Sequence, residues 1–225
     1  MRIPLTKYGL PQVIIFPAVI LAVMAVLPVL RFLPLLIIIS AEVLLAIVLT
    51  WVLSFFRDPN RQPPADKNLL LSPADGLVTD VQIIDNPELM AAQAMRIGIF
   101  LSIFNVHINR APCNAKVEKI TYKKGKFKDA RDPQSSKVNE SNDLQMIRMD
   151  EPRDRLIVRQ ISGAIARRIV CAAKSGQELT GGEKFGMIKF GSRTELYLPI
   201  RPNAVCLVKP GDKVKAGLTA LVRYK

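Results

Sequence analysis

The chain has 225 residues, enough for one domain with additions or for two small ones. Its three cysteines, Cys113, Cys171 and Cys206, have no C-x-x-C spacing, so they indicate neither a zinc site nor a disulfide framework and suit a reduced, cytosol-facing protein. A net charge of +13 asks for an acidic partner, and aromatic residues at 6% argue against an aromatic-rich binding surface.

Residues 13–30 and 32–56 are almost wholly apolar and are divided only by Arg31. As one straight helix they would reach about 66 Å, roughly twice the hydrocarbon core of a bilayer. Two spans with a tight turn around Leu30-Arg31-Phe32-Leu33-Pro34 are therefore expected. A helical hairpin gathers Arg2, Lys7, Arg57, Arg61 and Lys67 on one side, which the positive-inside rule makes cytoplasmic. The apolar stretch is too long for a cleaved signal peptide, and a second run follows directly. Pro17 and Pro28 leave a re-entrant first segment as the alternative. Glu42, inside the second run, either turns toward the partner helix or is functional. Residues 1–56 carry +2 (Arg2, Lys7 and Arg31 against Glu42), leaving +11 of the +13 for the remainder. A basic domain tethered to a membrane, with no nucleic-acid motif, is expected to meet anionic lipid rather than nucleic acid.

After residue 56 the composition changes, and Arg57-Asp-Pro-Asn-Arg-Gln-Pro-Pro64 reads as a proline-rich exit from the anchor. Ten short apolar or alternating runs follow, at 69–71, 77–84, 96–103, 115–122, 144–149, 156–161, 185–190, 196–198, 204–208 and 218–222. Turn residues separate many of them, the pattern of a mainly antiparallel β domain over 57–225. A short helix is expected around 87–95, and the charged stretch 123–142 reads as a long mobile loop. Lys174-Ser-Gly-Gln-Glu-Leu-Thr-Gly-Gly182 and Lys209-Pro-Gly-Asp-Lys-Val-Lys-Ala-Gly217 repeat at an offset of 35. Both fit K-x-G-x-x-[LV]-x-x-G and predict matching turns in two similar hairpins. They resemble the hammerhead turns of biotinyl and lipoyl carrier domains, without the modified lysine tripeptide. The expected architecture is a pseudo-symmetric antiparallel β sandwich with a hammerhead-like hairpin repeat.

The chemistry centres on Gly191-Ser192, between the apolar runs Met187–Phe190 and Leu196–Leu198. Taken alone, Gly-Ser is a turn between strands. Yet glycine has no side chain to shield its carbonyl, and Ser192 Oγ is one peptide bond away. Attack on the Gly191 carbonyl would give an ester; β-elimination would leave dehydroalanine, and hydrolysis a pyruvoyl group. Such a carbonyl condenses with an amine and draws electrons from it. Three more motifs accompany it. Ser72-Pro-Ala-Asp75-Gly76 sets a carboxylate in a turn, and Phe104-Asn-Val-His107-Ile-Asn-Arg110-Ala-Pro112 holds the one histidine. Arg159-Gln-Ile-Ser-Gly163 and Ala166-Arg-Arg-Ile-Val170 lead toward the first repeat. Singly, Asp75 reads as a turn former and His107 as a structural histidine.

In combination, S-P-A-D-G, V-H-x-N-R-x-P, R-Q-I-x-G and K-F-G-S-R resemble the short form of the phosphatidylserine decarboxylase family, which includes archaetidylserine decarboxylases. The likeness runs from Phe55-Phe-Arg-Asp-Pro59 through the second repeat, about three quarters of the chain. It implies self-cleavage at Gly191-Ser192 into a β chain of 1–191 and an α chain of 192–225, held together as a heterodimer. Ser192 then becomes a covalently bound pyruvoyl cofactor, Asp75 belongs to the maturation apparatus, and His107 transfers protons. The family's long form has an H-x-x-H pair where this chain has His107 and Arg110, and arginine does not act as a neutral base. Arg110 and Asn109 are candidate substrate contacts, the guanidinium fork of Arg110 matching a carboxylate or phosphate. So are Asn139 and Glu140, which lie in a loop segment resembling a family loop. The implied reaction removes the carboxylate of a serine phospholipid to give the ethanolamine lipid, on a diacyl or an archaeal ether backbone. Homo-oligomerisation stays open. Two readings from other classes compete: a membrane-anchored adaptor built on the repeat, and a serine hydrolase pairing Ser192 with a lysine such as Lys189.

Overall fold

A computed structural model describes residues 4–30, 32–85, 93–132, 134–164, 168–189 and 191–225. The chain forms two compact units, Met1–Asn60 and Arg61–Lys225. In the first, α1 (Gln12–Val26) runs into a 3-10 turn (Leu27–Val29), and α2 (Leu35–Phe55) returns. α1 buries none of its residues and α2 only Val52 and Phe55, although both are apolar on every side. Gln12–Val29, which is α1 with its 3-10 turn, and α2 are each long and apolar enough to cross a membrane. Pro17 lies within α1 without ending it. The two ends of the hairpin lie side by side, with Thr6 N–H donating to the Phe56 carbonyl at 2.9 Å and Asp58 N–H to that of Pro4 at 2.7 Å. That pairing keeps residues 57–60 with the helices. Glu42 is half-buried in the hairpin.

The second unit is antiparallel β. Its large sheet has eight strands in the order β13 (Lys213–Val214), β2 (Gly76–Ile84), β3 (Ala94–Leu101), β11 (Ser192–Pro199), β7 (Arg155–Ser162), β6 (Ser141–Arg148), β5 (Ala115–Lys123) and β9 (Glu178–Leu179). The sheet curls into a half-barrel. Two three-stranded sheets share its core: β1 (Leu69–Leu71) with β14 (Ala220–Tyr224) and β12 (Ala204–Cys206), and β4 (Ile108–Arg110) with β10 (Lys184–Ile188) and β8 (Ile169–Cys171). Strand alternation sends Ile97, Ile99 and Leu101 of β3 and Leu196 and Leu198 of β11 into a core with Leu70, Phe185, Leu221 and Val222. Each such side chain contributes about 1.5–3 kcal/mol by leaving water.

The repeat organises this unit. Gly176 and Gly211 have φ of 82° and 97°, Gly182 and Gly217 of 79° and 69°, all in the left-handed region that favours glycine. Gly176 N–H donates to Val117 and Gly211 N–H to Val78; Gly182 N–H donates to Ala111 and Gly217 N–H to Ser72. The same correspondence relates β9 to β13, β5 to β2, β6 to β3 and β7 to β11, so the strand order of the large sheet reads alike from either edge. The expected pseudo-symmetric sandwich is present, with one wall a single continuous sheet.

Three expectations need amendment. The 123–142 stretch is more ordered than a mobile loop. β5 reaches Lys123, Lys126 pairs with Asn139 in a parallel bridge, α3 (Ser135–Val138) makes one turn, and β6 begins at Ser141. Polar side chains and backbone bonds, not apolar burial, hold it. Strands β4, β8, β9 and β13, two or three residues each, escaped the apolar pattern. The helix expected around 87–95 falls largely outside the described residues, although Ala94 and Met95 open β3.

The outer face of β11 carries Arg193, Glu195 and Tyr197, all buried. Arg193 pairs with Asp80 at 2.5 Å and Glu195 at 2.7 Å, and Tyr197 O–H donates to Glu195. Burial alone would raise the Asp80 pKa, but the hydrogen bonds and charges of Arg193, Thr79 and Arg96 hold it below the usual carboxylate value.

Candidate active site

Strand ends converge where Ser192 begins β11. Ser192 lies opposite Leu101, the last residue of β3, and Ser162, the last of β7. β2 starts nearby at Gly76, directly after Asp75, and β6 starts at Ser141, directly after Glu140. The sheet order thus brings four of the sequence motifs to one end of the sheet. Ser192 is fully buried, and its Oγ has no hydrogen-bond partner among the described residues. Leaving a buried hydroxyl unsatisfied costs about 1–3 kcal/mol. Gly191 has a φ of 66°, so the chain enters β11 through a left-handed turn. A Cβ on Gly163 would sit 2.3 Å from the Gly191 carbonyl oxygen and 3.2 Å from Ala130 Cβ. The final glycine of R-Q-I-S-G is therefore the clearance that admits the Gly191 carbonyl.

His107 follows the turn after β3 and is fully buried. Its Nδ1 lies 3.0 Å from the Asn105 carbonyl. A carbonyl only accepts, so Nδ1 carries the proton and Nε2 bears the lone pair of the neutral ring. The turn is set by Asn105 Oδ1, which accepts the Ser102 N–H at 2.8 Å, and His107 is tied to β10 by the Ile188 N–H.

Asp75 is gripped by Arg61, whose Nη1 and Nη2 donate to Oδ1 and Oδ2 at 2.5 and 2.8 Å. Oδ1 also accepts the Ala216 N–H at 2.8 Å. The symmetry mate of Asp75 is Asn114, whose Oδ1 accepts the Gly181 N–H at 2.9 Å. The bond to the repeat turn is thus common to both halves; the carboxylate and its arginine belong to one.

The residues expected at the substrate divide. Asn109 is buried, with its amide donating to Thr194 Oγ1 and the Pro73 carbonyl and its Oδ1 accepting from Gln160 Nε2 at 2.9 Å. Gln160 Oε1 in turn accepts from Asn142 Nδ2, so a polar thread crosses the core behind Ser192. Asn139 clamps both backbone groups of Lys128 and donates to the Ser162 carbonyl at 2.8 Å. Arg110 donates to the Gly182 carbonyl at 3.0 Å and packs near Gly217, which places it at the paired repeat glycines. Glu140 differs: Oε1 accepts from Tyr122 O–H at 2.7 Å, while Oε2 is buried with no hydrogen-bond partner among the described residues. The bond to Glu140, then burial, raises the Tyr122 pKa. Lys189, three residues before Ser192, is buried, and burial followed by the charge of Arg168 lowers its pKa. Sequence reasoning missed the structural roles of Arg61, Gln160, Thr194 and Tyr122. A polar residue at an inward strand position was the available signal for Gln160 and Thr194.

The family profile for phosphatidylserine decarboxylase matches residues 48–222. A phosphatidylserine decarboxylase proenzyme of Trichlorobacter lovleyi is 47% identical over 185 residues, covering 82% of this chain and 81% of its own. One from Rhodopirellula baltica is 41% identical over 226 residues, 99% of this chain and 89% of its own. One from Pelobacter propionicus is 42% identical over 187 residues, 83% of each chain. Matched over most of its length, from the end of the second apolar helix to the last strand, the chain belongs to the phosphatidylserine decarboxylase family.

Proposed function

We propose that this protein is a membrane-anchored carboxy-lyase that converts phosphatidylserine, or its archaetidyl equivalent, to the ethanolamine lipid. Its pyruvoyl group forms by self-cleavage between Gly191 and Ser192. The observation that carries this reading is the buried Ser192 Oγ, without a hydrogen-bond partner among the described residues, beside a left-handed glycine whose carbonyl fits the clearance at Gly163. In maturation a base takes the Oγ proton and Oγ adds to the Gly191 carbonyl carbon. The amide nitrogen leaves protonated as the ester forms. Elimination then releases the Gly191 carboxylate, and hydrolysis of the resulting dehydroalanine releases ammonia. Asp75 acts in this stage.

The site fits the group that results, because Ser192 is enclosed between Leu101 and Ser162 and away from water. When present, the pyruvoyl carbonyl supplies the electron sink that lets the headgroup carboxylate leave as carbon dioxide. His107 Nε2, whose lone pair takes the proton given up by the headgroup ammonium, returns it to the headgroup carbon. Glu140 Oε2 is the acceptor left for the ammonium of the incoming headgroup. Asn109, Asn139 and Arg110 act through the scaffold that aligns these groups. The catalytic unit works on the cytoplasmic side, and the α and β chains stay together as a heterodimer.

The lowered pKa of Lys189 favours one rival, a serine–lysine hydrolase. Intact-mass spectrometry separates the two. Chains of 1–191 and 192–225, the latter with a pyruvoyl-blocked terminus, support the decarboxylase. A single chain with a free, acylatable Ser192 supports the hydrolase.

A further inference from the structure

Ser192 is fully buried, yet on the reading above its substrate is a lipid whose chains stay in the bilayer. Whatever covers Ser192 must therefore reach the headgroup layer. Two segments border it. Ile103 Cγ2 lies 4.0 Å from where a Cβ on Gly191 would sit, and Ala130 Cβ closes on Gly163 beside the Gly191 carbonyl. The first segment, the turn after β3, presents Phe104 at 70% exposure. The second continues from β5 and presents Phe127 at 41%, with Lys123, Lys124, Lys126 and Lys128 all exposed around it. Water-facing phenylalanine rings among lysines suit a bilayer interface, where rings enter the acyl boundary and ammonium groups meet lipid phosphates.

We propose that the Phe104 turn and the 123–131 segment are two lips of a mouth that docks on an anionic bilayer around Ser192. The order of the 123–131 segment supports this, because the Asn139 amide fixes Lys128 and Ser162 together and so fixes one lip to the strand end beside Ser192. The helical anchor keeps the protein at the membrane, and the lips set the height and tilt of the site above it.

The test uses the full chain, with Trp51→Phe removing its one tryptophan, and Phe104→Trp or Phe127→Trp as separate reporters. Each is reconstituted in choline-lipid nanodiscs with and without an anionic glycerol lipid, using lipids brominated near the headgroup end of the chains. Both indoles should be quenched, more strongly with the anionic lipid, and high salt should weaken quenching at position 127. A second variant replaces Lys123, Lys124, Lys126 and Lys128 with Gln. It should lose about tenfold in decarboxylation of bilayer phosphatidylserine, about 1.4 kcal/mol, while keeping wild-type turnover of water-soluble glycerophosphoserine. Absence of quenching at both positions in either bilayer, or equal loss on the two substrates, overturns the proposal. Quenching requires no catalysis, so reporters that are quenched while the wild-type protein is inactive on both substrates refute the decarboxylase reading and leave the docking surface standing.

Discussion

Arg61 grips both oxygens of Asp75 and, through the same Nη1, the carbonyl of Ala216 at 2.7 Å. Since Ala216 N–H also bonds Asp75, three distant points of the chain meet in one clasp. Asn114 makes the equivalent turn bond without an arginine, so this position tolerates an amide. Asp75→Asn should therefore keep the turn but leave Arg61 buried without its counter-charge, a loss of about 3 kcal/mol. It should also accumulate uncleaved precursor. The double variant Arg61→Gln, Asp75→Asn should regain most of the melting temperature and still fail to cleave. Recovery of cleavage in the double variant on a denaturing gel would show Asp75 to be architectural only.

Gly163→Ala tests the clearance at the cleavage site. Its Cβ would meet the Gly191 carbonyl oxygen at 2.3 Å, so one of the two must move. We expect self-cleavage to slow at least tenfold, equivalent to about 1.4 kcal/mol in the barrier, with the precursor still folded. A cleavage time course matching wild type would show that the approach of these two glycines is incidental.

Ser192→Ala removes the proposed nucleophile and, at once, a buried hydroxyl that has no hydrogen-bond partner among the described residues. It should run as one full-length chain with no decarboxylation, and should melt no lower than other uncleaved variants, since nothing hydrogen-bonded is lost. Two chains of normal size from this variant end the self-cleavage reading.

His107→Ala separates maturation from turnover. With Asp75 assigned to maturation, this variant should still yield two chains, but decarboxylation should fall by 10²–10⁴-fold, the usual worth of a positioned acid or base. Accumulation of precursor instead assigns the lone histidine to both stages.

Acid stability has a separate origin in the Asp80–Arg193 pair on the outer face of β11. The Asp80 pKa is lower folded than unfolded. Its contribution is therefore complete above the unfolded value of about 3.9 and is lost as pH falls through the folded value. Asp80→Asn should lower the melting temperature at pH 7 and flatten its fall below about pH 4. Parallel wild-type and variant curves across that range would remove Asp80 from the acid response.

Much of this was legible in the sequence because it rests on local rules. Glycines at 176, 182, 211 and 217 mark left-handed turns, alternation in 94–101 and 192–199 marks strands, and a 21-residue apolar run marks α2. What the sequence hid depends on distant pairing. β9 and β13 are too short to show a period, and they exist because β5 and β2 offer them an edge. Asn109 and Asn139 stand as candidate substrate contacts by their place in the motifs, which says nothing of what holds them. Only the fold shows that Thr194, Gln160, Lys128 and Ser162 use their amides. Arg61 read as a membrane-flanking cation, and its partner lay in a turn that the sequence does not place beside it.

The position of β11 has a consequence for the protein's history. It is an inner strand, laddered to β3 on one side and β7 on the other. The self-cleavage proposed above would leave that ladder intact, and the severed 34-residue tail, 192–225, would remain as the keystone of the sheet. Such a molecule has lost the linkage that aligned its strands during folding. Once melted, its two pieces must find each other by diffusion, and recovery depends on concentration instead of on sequence alone. Heating before such a cut would be reversible in principle; after it, recovery would fall with dilution. On that reading the cleaved molecule would persist by resisting unfolding, for as long as its sheet stays closed.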